Sequence, residues 1–332
     1  MEEIITLDYG SGGKKTSRLI EELLLPAFQS AELNQLGDGA ILTGSEKLVF
    51  STDSFVVSPL FFPGGDIGKL SVCGTVNDLS VCGAEPKYLS LSFIIEEGLA
   101  MDDFRRVVAS IAVTAAKCGV RIVTGDTKVV EHGKADGIYI NTSGIGFLRY
   151  PGLSLDTIKE GDYVLISRTV GDHGAAVMLA RGGLLDGQIV SDCAPLSALC
   201  LAVLEQAAGV RVLRDPTRGG VATTLCEFIE ASALSIELQE EDIPVSAPVS
   251  GACSMLGLDP LYCANEGKML AVVAPEDAEA ALATLRSRPE GENAAIIGRV
   301  TAERPGKVVL RTRAGGGRIL QKLSGAQLPR IC

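Results

Sequence analysis

The 332 residues are enough for about two domains, and with 46% hydrophobic and 21% charged residues the chain can bury a real core rather than stay disordered. A formal net charge of −11 argues against a nucleic-acid binder held by phosphate contacts, and 5% aromatics with no Trp argue against platforms for stacked bases. No apolar run approaches the roughly 20 residues that span a bilayer, and the acidic start Met1-Glu2-Glu3 lacks a signal-peptide core, so a cytoplasmic protein without membrane or nucleic-acid partners is expected.

The first patterned segment is Gly10-Ser11-Gly12-Gly13-Lys14-Lys15, a glycine-rich loop leading into an amphipathic helix near 16–25. Backbone amides of such a loop can cradle phosphate beside a helix N-terminus, although the spacing is not that of a Walker A loop. Residues 48–52 read as a strand and 69–82 as a helix, stopped by Gly83 and Pro86. A strand over 88–95, a helix from 102 to 118 with Asp102 as N-cap, and a short buried strand over 120–124 follow. Residues 138–147 form a longer strand in which Gly144 and Gly146 suggest a bend or bulge.

Tyr150-Pro151-Gly152 breaks the pattern, and a domain boundary is expected between 151 and 161. The second half opens with a strand over 161–167. It continues with helices near 173–181, 195–208, 218–232 and 275–287 and strands near 234–239, 268–274, 295–300 and 307–311. The reading is two α+β domains, 1–150 and 161–311, with mixed rather than regular βαβ alternation, and a flexible tail over 312–332.

Nine cysteines contain no Cys-x-x-Cys pair, which suggests neither a zinc site nor a redox motif. Eight read as small buried hydrophobes. Cys332 ends the chain, behind Ala314-Gly315-Gly316-Gly317. From Gly315 onward the extended tail reaches roughly 60 Å, enough to carry one sulfur between two sites or two proteins. A merely frayed end is the plainer alternative.

Four aspartates stand among small residues: Asp38, Asp53, Asp78 beside Asn77, and Asp126. Two of them follow apolar strands, where ligand crevices often lie. Carboxylates converging in an acidic protein suit a hard cation such as Mg²⁺ that bridges to phosphate, whereas each one singly also suits a cap or a turn. Two further clusters are Asp215-Pro216-Thr217-Arg218 and Asn265-Glu266-Gly267-Lys268. Only two histidines are present, His132 in a loop and His173 at a helix start, and each reads as a solvated residue or a base.

In this order, Gly-Ser-Gly-Gly-Lys, Gly-Asp-Gly-Ala, Ser-Thr-Asp-Ser, Pro-Gly-Gly-Asp-Ile-Gly-Lys, Asn-Asp-Leu, Thr-Gly-Asp-Thr-Lys, Gly-Asp-His-Gly, Arg-Asp-Pro-Thr-Arg-Gly-Gly, Ala-Asn-Glu-Gly-Lys and the ending Pro-Arg-Ile-Cys closely resemble the HypE family of hydrogenase maturation proteins. That family lies in the superfamily of aminoimidazole ribonucleotide synthetase, selenophosphate synthetase and thiamine monophosphate kinase. The resemblance spans essentially the whole chain. The Asp motifs are superfamily signals, and the Pro-Arg-Ile-Cys ending is the specific one.

The resemblance implies a PurM-like N-terminal domain whose mixed sheet pairs into a barrel in a homodimer, flanked by an α/β C-terminal domain. It implies ATP and Mg²⁺ as cofactors. Asp38, Asp53, Asp78 and Asp126 match metal-binding positions. Gly10, Ser11, Gly12, Gly13, Lys14, Asn77 and Asp215 join them at the nucleotide. The implied reaction is dehydration of a carbamoyl group on Cys332 to a thiocyanate, with Glu266, Lys128 and Arg330 as catalytic candidates beside the sulfur. A carbamoyltransferase would load Cys332, and an iron-carrying hydrogenase maturation scaffold would accept the cyano group. A small-molecule kinase or synthetase of the same superfamily, or an acidic scaffold without catalysis, are the alternatives.

Overall fold

The structure, a computed structural model, describes residues 2–37, 39–183, 189–325, 328 and 330–332. Asp38 and Pro329 lie outside the described residues. The N-terminal half carries β1 (Leu48–Phe55), the short pair β2 (Phe61–Phe62) and β3 (Gly65–Asp66), β4 (Ala84–Glu96), β5 (Arg121–Val130) and β6 (Ile138–Leu148). The long strands form one mixed sheet in the order β1-β6-β4-β5, with only the β4–β5 pair parallel. Helices α1 (Lys14–Leu19) and α2 (Leu25–Phe28) are joined by a π turn over Ile20–Leu24. Then come α3 (Ile67–Val81) and α4 (Met101–Cys118).

Each helix has a legible cause. Asp66 caps α3, its Oδ1 accepting from Gly68 N and Lys69 N. Thirteen of the fifteen residues of α3 are buried, because the sheet, α4 and the second domain all cover it. In contrast α4 buries Phe104, Val107, Val108, Ile111 and Ala115 on one face, at helical spacing. It ends at Gly119, whose φ of 68° suits glycine. Its N-cap is Ala100, not Asp102, which sits in the first turn where a negative charge favours the helix dipole.

The second half carries β7 (Tyr163–Ile166), β8 (Val210–Arg214), β9 (Ser235–Gln239), β10 (Leu270–Val273), β11 (Ala295–Thr301), β12 (Val308–Arg311) and β13 (Gly317–Leu320). They lie in the order β13-β12-β9-β11-β7-β10-β8. The helices are α5 (Asp172–Arg181), α6 (Ser197–Gln206), α7 (Gly220–Ile229), α8 (Ala247–Leu256) and α9 (Ala278–Arg286). The sheet is buried on both faces, and alternate side chains feed two cores. Val164, Ile166, Leu270 and Val272 pack with Val221 and Leu225 of α7. Leu165, Ala271 and Val273 pack with Leu199, Val203 and Leu282 of α6 and α9.

Three elements depart from the sequence reading. Val210–Arg214 is a strand and Ala247–Leu256 a helix, neither expected. Gly317–Leu320 pairs antiparallel with β12, so the segment after 312 is part of the sheet before it becomes a tail. Gly144 and Gly146 make no bulge: both pair in register with β1, and the irregularity lies opposite, at 86–88 of β4. Gly144 is small because α3 lies against it, and a Cβ there would sit 2.7 Å from Thr75 Cγ2.

One face of the N-terminal sheet is covered by helices and the other is open. On the open side Phe50 is 67% exposed and Leu48 51%. No helix of the described residues is long and apolar enough to cross a membrane.

Candidate active site

The chain ends inside the molecule, against the turn that follows β1. Val56 N donates to the Cys332 carbonyl oxygen at 3.0 Å, and Ser58 N to the Arg330 carbonyl at 3.3 Å. The Arg330 guanidinium Nε donates to Val56 O at 3.1 Å, and its NH1 pairs with Asp136. Arg181 bridges Ser58 O and Arg330 O, each at 2.8 Å. His173 Nε2 donates to Ile331 O at 2.8 Å. Ile331 is buried in the N-terminal core, and the partly buried Cys332 packs against the same core. The end of the tail is thus held largely through its main chain.

Arg330 therefore corrects one expectation. Its guanidinium is engaged by Val56 and Asp136. The cation that opposes the rise of the Cys332 thiol is Arg218, while burial, then Glu266 and Asp53, push that thiol up to about 12.

Glu266 comes from the loop before β10. Its backbone is fixed: Glu266 N and Gly267 N donate to Asp192 Oδ2 at 3.1 and 2.8 Å, and Glu266 O accepts from Ala194 N. Only glycine fits at 267, where a Cβ would lie 1.8 Å from Asp192 O. Below the loop Lys268, fully buried, reaches Asp172 at 3.1 Å, Asp192 at 3.2 Å and Asn265 Oδ1 at 2.9 Å. The Glu266 side chain is 2% exposed and its Oε1 has no partner. Burial, then Cys193 and Asp215, hold its carboxyl well above the ordinary range. A buried carboxyl with a raised proton affinity and a free oxygen is suited to proton transfer.

Three aspartates share this environment. Burial followed by Asp78 and Asp53 pushes Asp215 up to about 7. Asp53 is raised by burial and then by Asp78, with Arg218 opposing. Burial raises Asp78 as well, partly offset by the 2.6 Å hydrogen bond from Ser51 Oγ and by Arg214 and Arg218. Carboxyls that raise one another call for a cation. Among the described residues no three acidic, His or Cys side chains are placed to hold one ion. A metal held here would have few protein ligands, which suits Mg²⁺, an ion that usually keeps several waters.

Two expected members stand apart. Asp126 and Lys128 lie inside β5 rather than after its end, and Lys128 Nζ is 2.8 Å from Asp126 Oδ1, which lowers the Asp126 carboxyl. The ladder register puts Asp126 beside Ser92 and Asn141, whereas Asp53 pairs with Thr142 on the opposite, helix-covered face. Asp53 is likewise within its strand, not beyond it. Among the described residues, Asp53, Asp78 and Asp126 therefore form no single cluster in one copy of the chain.

Asp126 and Lys128 line a second cavity, about 270 Å³, with Gly10, Gly12, Thr16, Gly37 and Gly39. Gly10 must be glycine, since a Cβ would lie 2.3 Å from Val129 N. Ser11 Oγ donates to Asp8 O, Gly12 N donates to Thr16 Oγ1, Gly13 caps α1, and Lys14 opens that helix exposed. Asn77 corrects another expectation. It is fully buried and its amide ties the domains together, donating to Ala194 O and Glu266 O and accepting from Leu196 N. His132 is exposed near Glu96, but His173 is wholly buried against the tail, not solvated. Cys193, the thiol beside Glu266, carried no sequence signal, because nothing in its local pattern separates it from a core cysteine.

Comparison with known proteins follows these features. Residues 36–148 match the AIR synthase related protein N-terminal domain and residues 159–311 its C-terminal domain. The chain is 47% identical over 337 residues to the carbamoyl dehydratase HypE of Rhodobacter capsulatus, covering 100% of this chain and 99% of that protein. It superposes on a crystal structure of the hydrogenase maturation protein HypE in complex with ATP with TM-score 0.95 and 50% identity, covering 98% and 99% of the two chains. A HypE–HypF complex matches with TM-score 0.79 and 48% identity, covering 92% and 99%. The chain belongs to the HypE family of carbamoyl dehydratases, within the AIR synthase related proteins.

Proposed function

We propose that this HypE family member uses ATP to dehydrate a carbamoyl group carried on the sulfur of Cys332, giving the thiocyanate that supplies cyanide ligands to the iron of nickel–iron hydrogenases. The observation that carries the reading is the docked tail, which brings Cys332 to a buried carboxyl with a free oxygen.

The chemistry balances. The carbamoyl oxygen attacks the γ-phosphorus of ATP, ADP leaves, and one nitrogen proton is lost. The C–O bond then breaks, phosphate departs with its electron pair, and the second proton leaves nitrogen as C≡N forms. Phosphoryl transfer needs positioning and charge neutralisation more than covalent help. Mg²⁺, when bound, supplies neutralisation at the phosphates. Asp53 and Asp78 are the carboxylates of this chain that would hold it, with Arg218 as fixed positive charge near them. Glu266, by its raised proton affinity, is the base for the nitrogen protons. The apolar seat of Ile331 keeps water from the reacting carbon.

ATP is expected to reach from the cavity under the Gly10–Lys14 loop, and two copies complete its site. The sheet order β1-β6-β4-β5 leaves β1 and β5 as its edges. Joining two such sheets end to end makes an eight-stranded barrel in which β5 of one copy lies beside β1 of the other. Asp126 and Lys128 of one copy would then lie near the β1 edge of the second, on the barrel side of the sheet, with Asp53 on its helix-covered side. The exposed Leu48 and Phe50 supply the apolar barrel interior. A HypF-type carbamoyltransferase loads Cys332, supported by the solved HypE–HypF pair, and an iron-bearing maturation scaffold takes the cyano group.

Intact-mass measurement after incubation with the carbamoyltransferase, its carbamoyl donor and Mg-ATP tests this. One carbamoyl gained on wild type but not on Cys332→Ala, then loss of one water dependent on ATP, is the expected result. ATP binding with no mass change would instead point to a free small-molecule substrate, as in the kinases of the superfamily.

A further inference from the structure

We propose that His173 is a positioning residue for the tail: by holding the Ile331 carbonyl, it sets where the Cys332 sulfur lies against Glu266. The inference rests on the dehydration reading for its catalytic consequence, but not for its structural one.

The imidazole is placed for a single task. It is wholly buried at the start of α5, with Phe62 edge-on at 5.4 Å between ring centroids. A carbonyl can only accept, so Nε2 must carry the proton at its 2.8 Å contact with Ile331 O. Nδ1 then accepts from Ser191 Oγ, also at 2.8 Å. Ser191 spends its one hydroxyl proton there and uses a lone pair to accept from Cys193 N at 3.1 Å. The tautomer is thereby dictated by the chain 191–193, which also carries Asp192 under the Glu266 loop. The other charged groups acting on the ring are Asp192, which favours its protonation, and Lys268, which opposes it.

The Ile331 carbonyl belongs to the peptide plane that ends at Cys332 N. Fixing that oxygen orients the plane from which the sulfur-bearing residue grows. Val56 holds the other side of Cys332, and Arg181 and Ser58 hold Arg330 two residues earlier. Among the described hydrogen bonds, His173 alone holds residue 331, and without it that carbonyl is buried unpaired. An unpaired buried acceptor of this kind shifts the docked–released balance by about tenfold to a hundredfold toward release.

The test uses the full-length protein and iodoacetamide. Alkylation of Cys332 and of the exposed Cys82 is followed together by fragment masses of the intact chain, so Cys82 serves as the internal rate standard. In His173→Leu the Cys332 rate relative to Cys82 is expected to rise about tenfold or more, and ATP-dependent dehydration of carbamoyl-loaded protein to fall in parallel, with loading itself undiminished. His173→Gln, whose amide nitrogen can stand in for Nε2, is expected to restore both. Should the Leu variant fail to fold, Ser191→Ala removes the partner that sets the tautomer and is expected to act in the same direction. A folded Leu or Ala variant with unchanged relative alkylation overturns the proposal. Wild type that never dehydrates overturns the functional reading instead, and leaves the alkylation result to judge His173.

Discussion

Asp215→Asn is expected to make the folded protein more stable while impairing it. Asp215 is buried, and burial together with Asp78 and Asp53 raises its carboxyl to about 7. The ordinary aspartate value is about 3.9, so the gap is about three pH units, worth about 1.4 kcal/mol each. The sign follows from the direction of the rise. Below about pH 4 the carboxyl is protonated in both folded and unfolded chains and costs nothing. As pH climbs from about 4 to about 7, the unfolded chain ionises first and the folded state loses stability, reaching a total of about 4 kcal/mol that then stays constant. Asparagine has the same shape and no such titration. Urea midpoints of wild type and variant should therefore coincide near pH 4 and separate progressively toward pH 7, the variant being more stable. Asp78→Asn should shrink the separation, because it removes the second cause of the rise. A stabilisation equal at pH 4 and pH 8 would refute the charge argument and indicate packing. No stabilisation at pH 8 would mean that Arg214 and the site's other cations already compensate the carboxylate.

Glu266→Gln should accept a carbamoyl group and bind ATP, yet lose about a hundredfold or more in single-turnover dehydration, the usual worth of a positioned base. In wild type that rate should rise with pH through the raised value of Glu266, since only the ionised carboxylate takes protons, and a profile flat from pH 5 to 8 would remove Glu266 from that role. Gly267→Ala forces a methyl to 1.8 Å from Asp192 O, so the loop must move; several kcal/mol of lost stability is expected by thermal melting, and a wild-type melt would show the loop to be pliant. Phe50→Asp puts a charge on the open sheet face, and sedimentation should show monomer where wild type is expected to show dimer; an unchanged dimer would place the interface elsewhere.

Much of the fold was legible because its elements carry local signals. The strand Ala295–Thr301 and the helix Met101–Cys118 follow directly from apolar pattern and stop residues. Val210–Arg214 was missed because Arg211 and Arg214 break its alternation, and it is held as a strand by pairing with β10. Ala247–Leu256 carries Ser250, Gly251 and Ser254, weak helix formers whose cost is offset by Val249, Ala252 and Cys253 packing on α5, while Ser246 caps it and Pro248 falls harmlessly in its first turn. The site shows the same limit. Motifs named Asp53, Asp126 and Asn77 alike, but only the sheet register puts Asp126 on the far face, and only the domain contact turns Asn77 into a strut. Tertiary position of that kind leaves no trace in local spacing.

The docked state of Cys332 also decides the order of events. Held in the cleft, the thiol is raised to about 12, so roughly one molecule in a hundred thousand carries a thiolate near neutral pH. Released into water it returns to about 8.5, and a few per cent is ionised. The nucleophile that must attack a carbamoyl donor is therefore about a thousandfold more abundant outside than inside. Once carbamoylated, the sulfur has no proton to lose, and burial ceases to penalise it. On the proposed reading, the same buried cleft that disables loading is where Glu266 would take the carbamoyl nitrogen's protons away from bulk water. Loading and dehydration thus require opposite environments for one atom. A chain end held mainly through main-chain hydrogen bonds would meet both requirements by undocking.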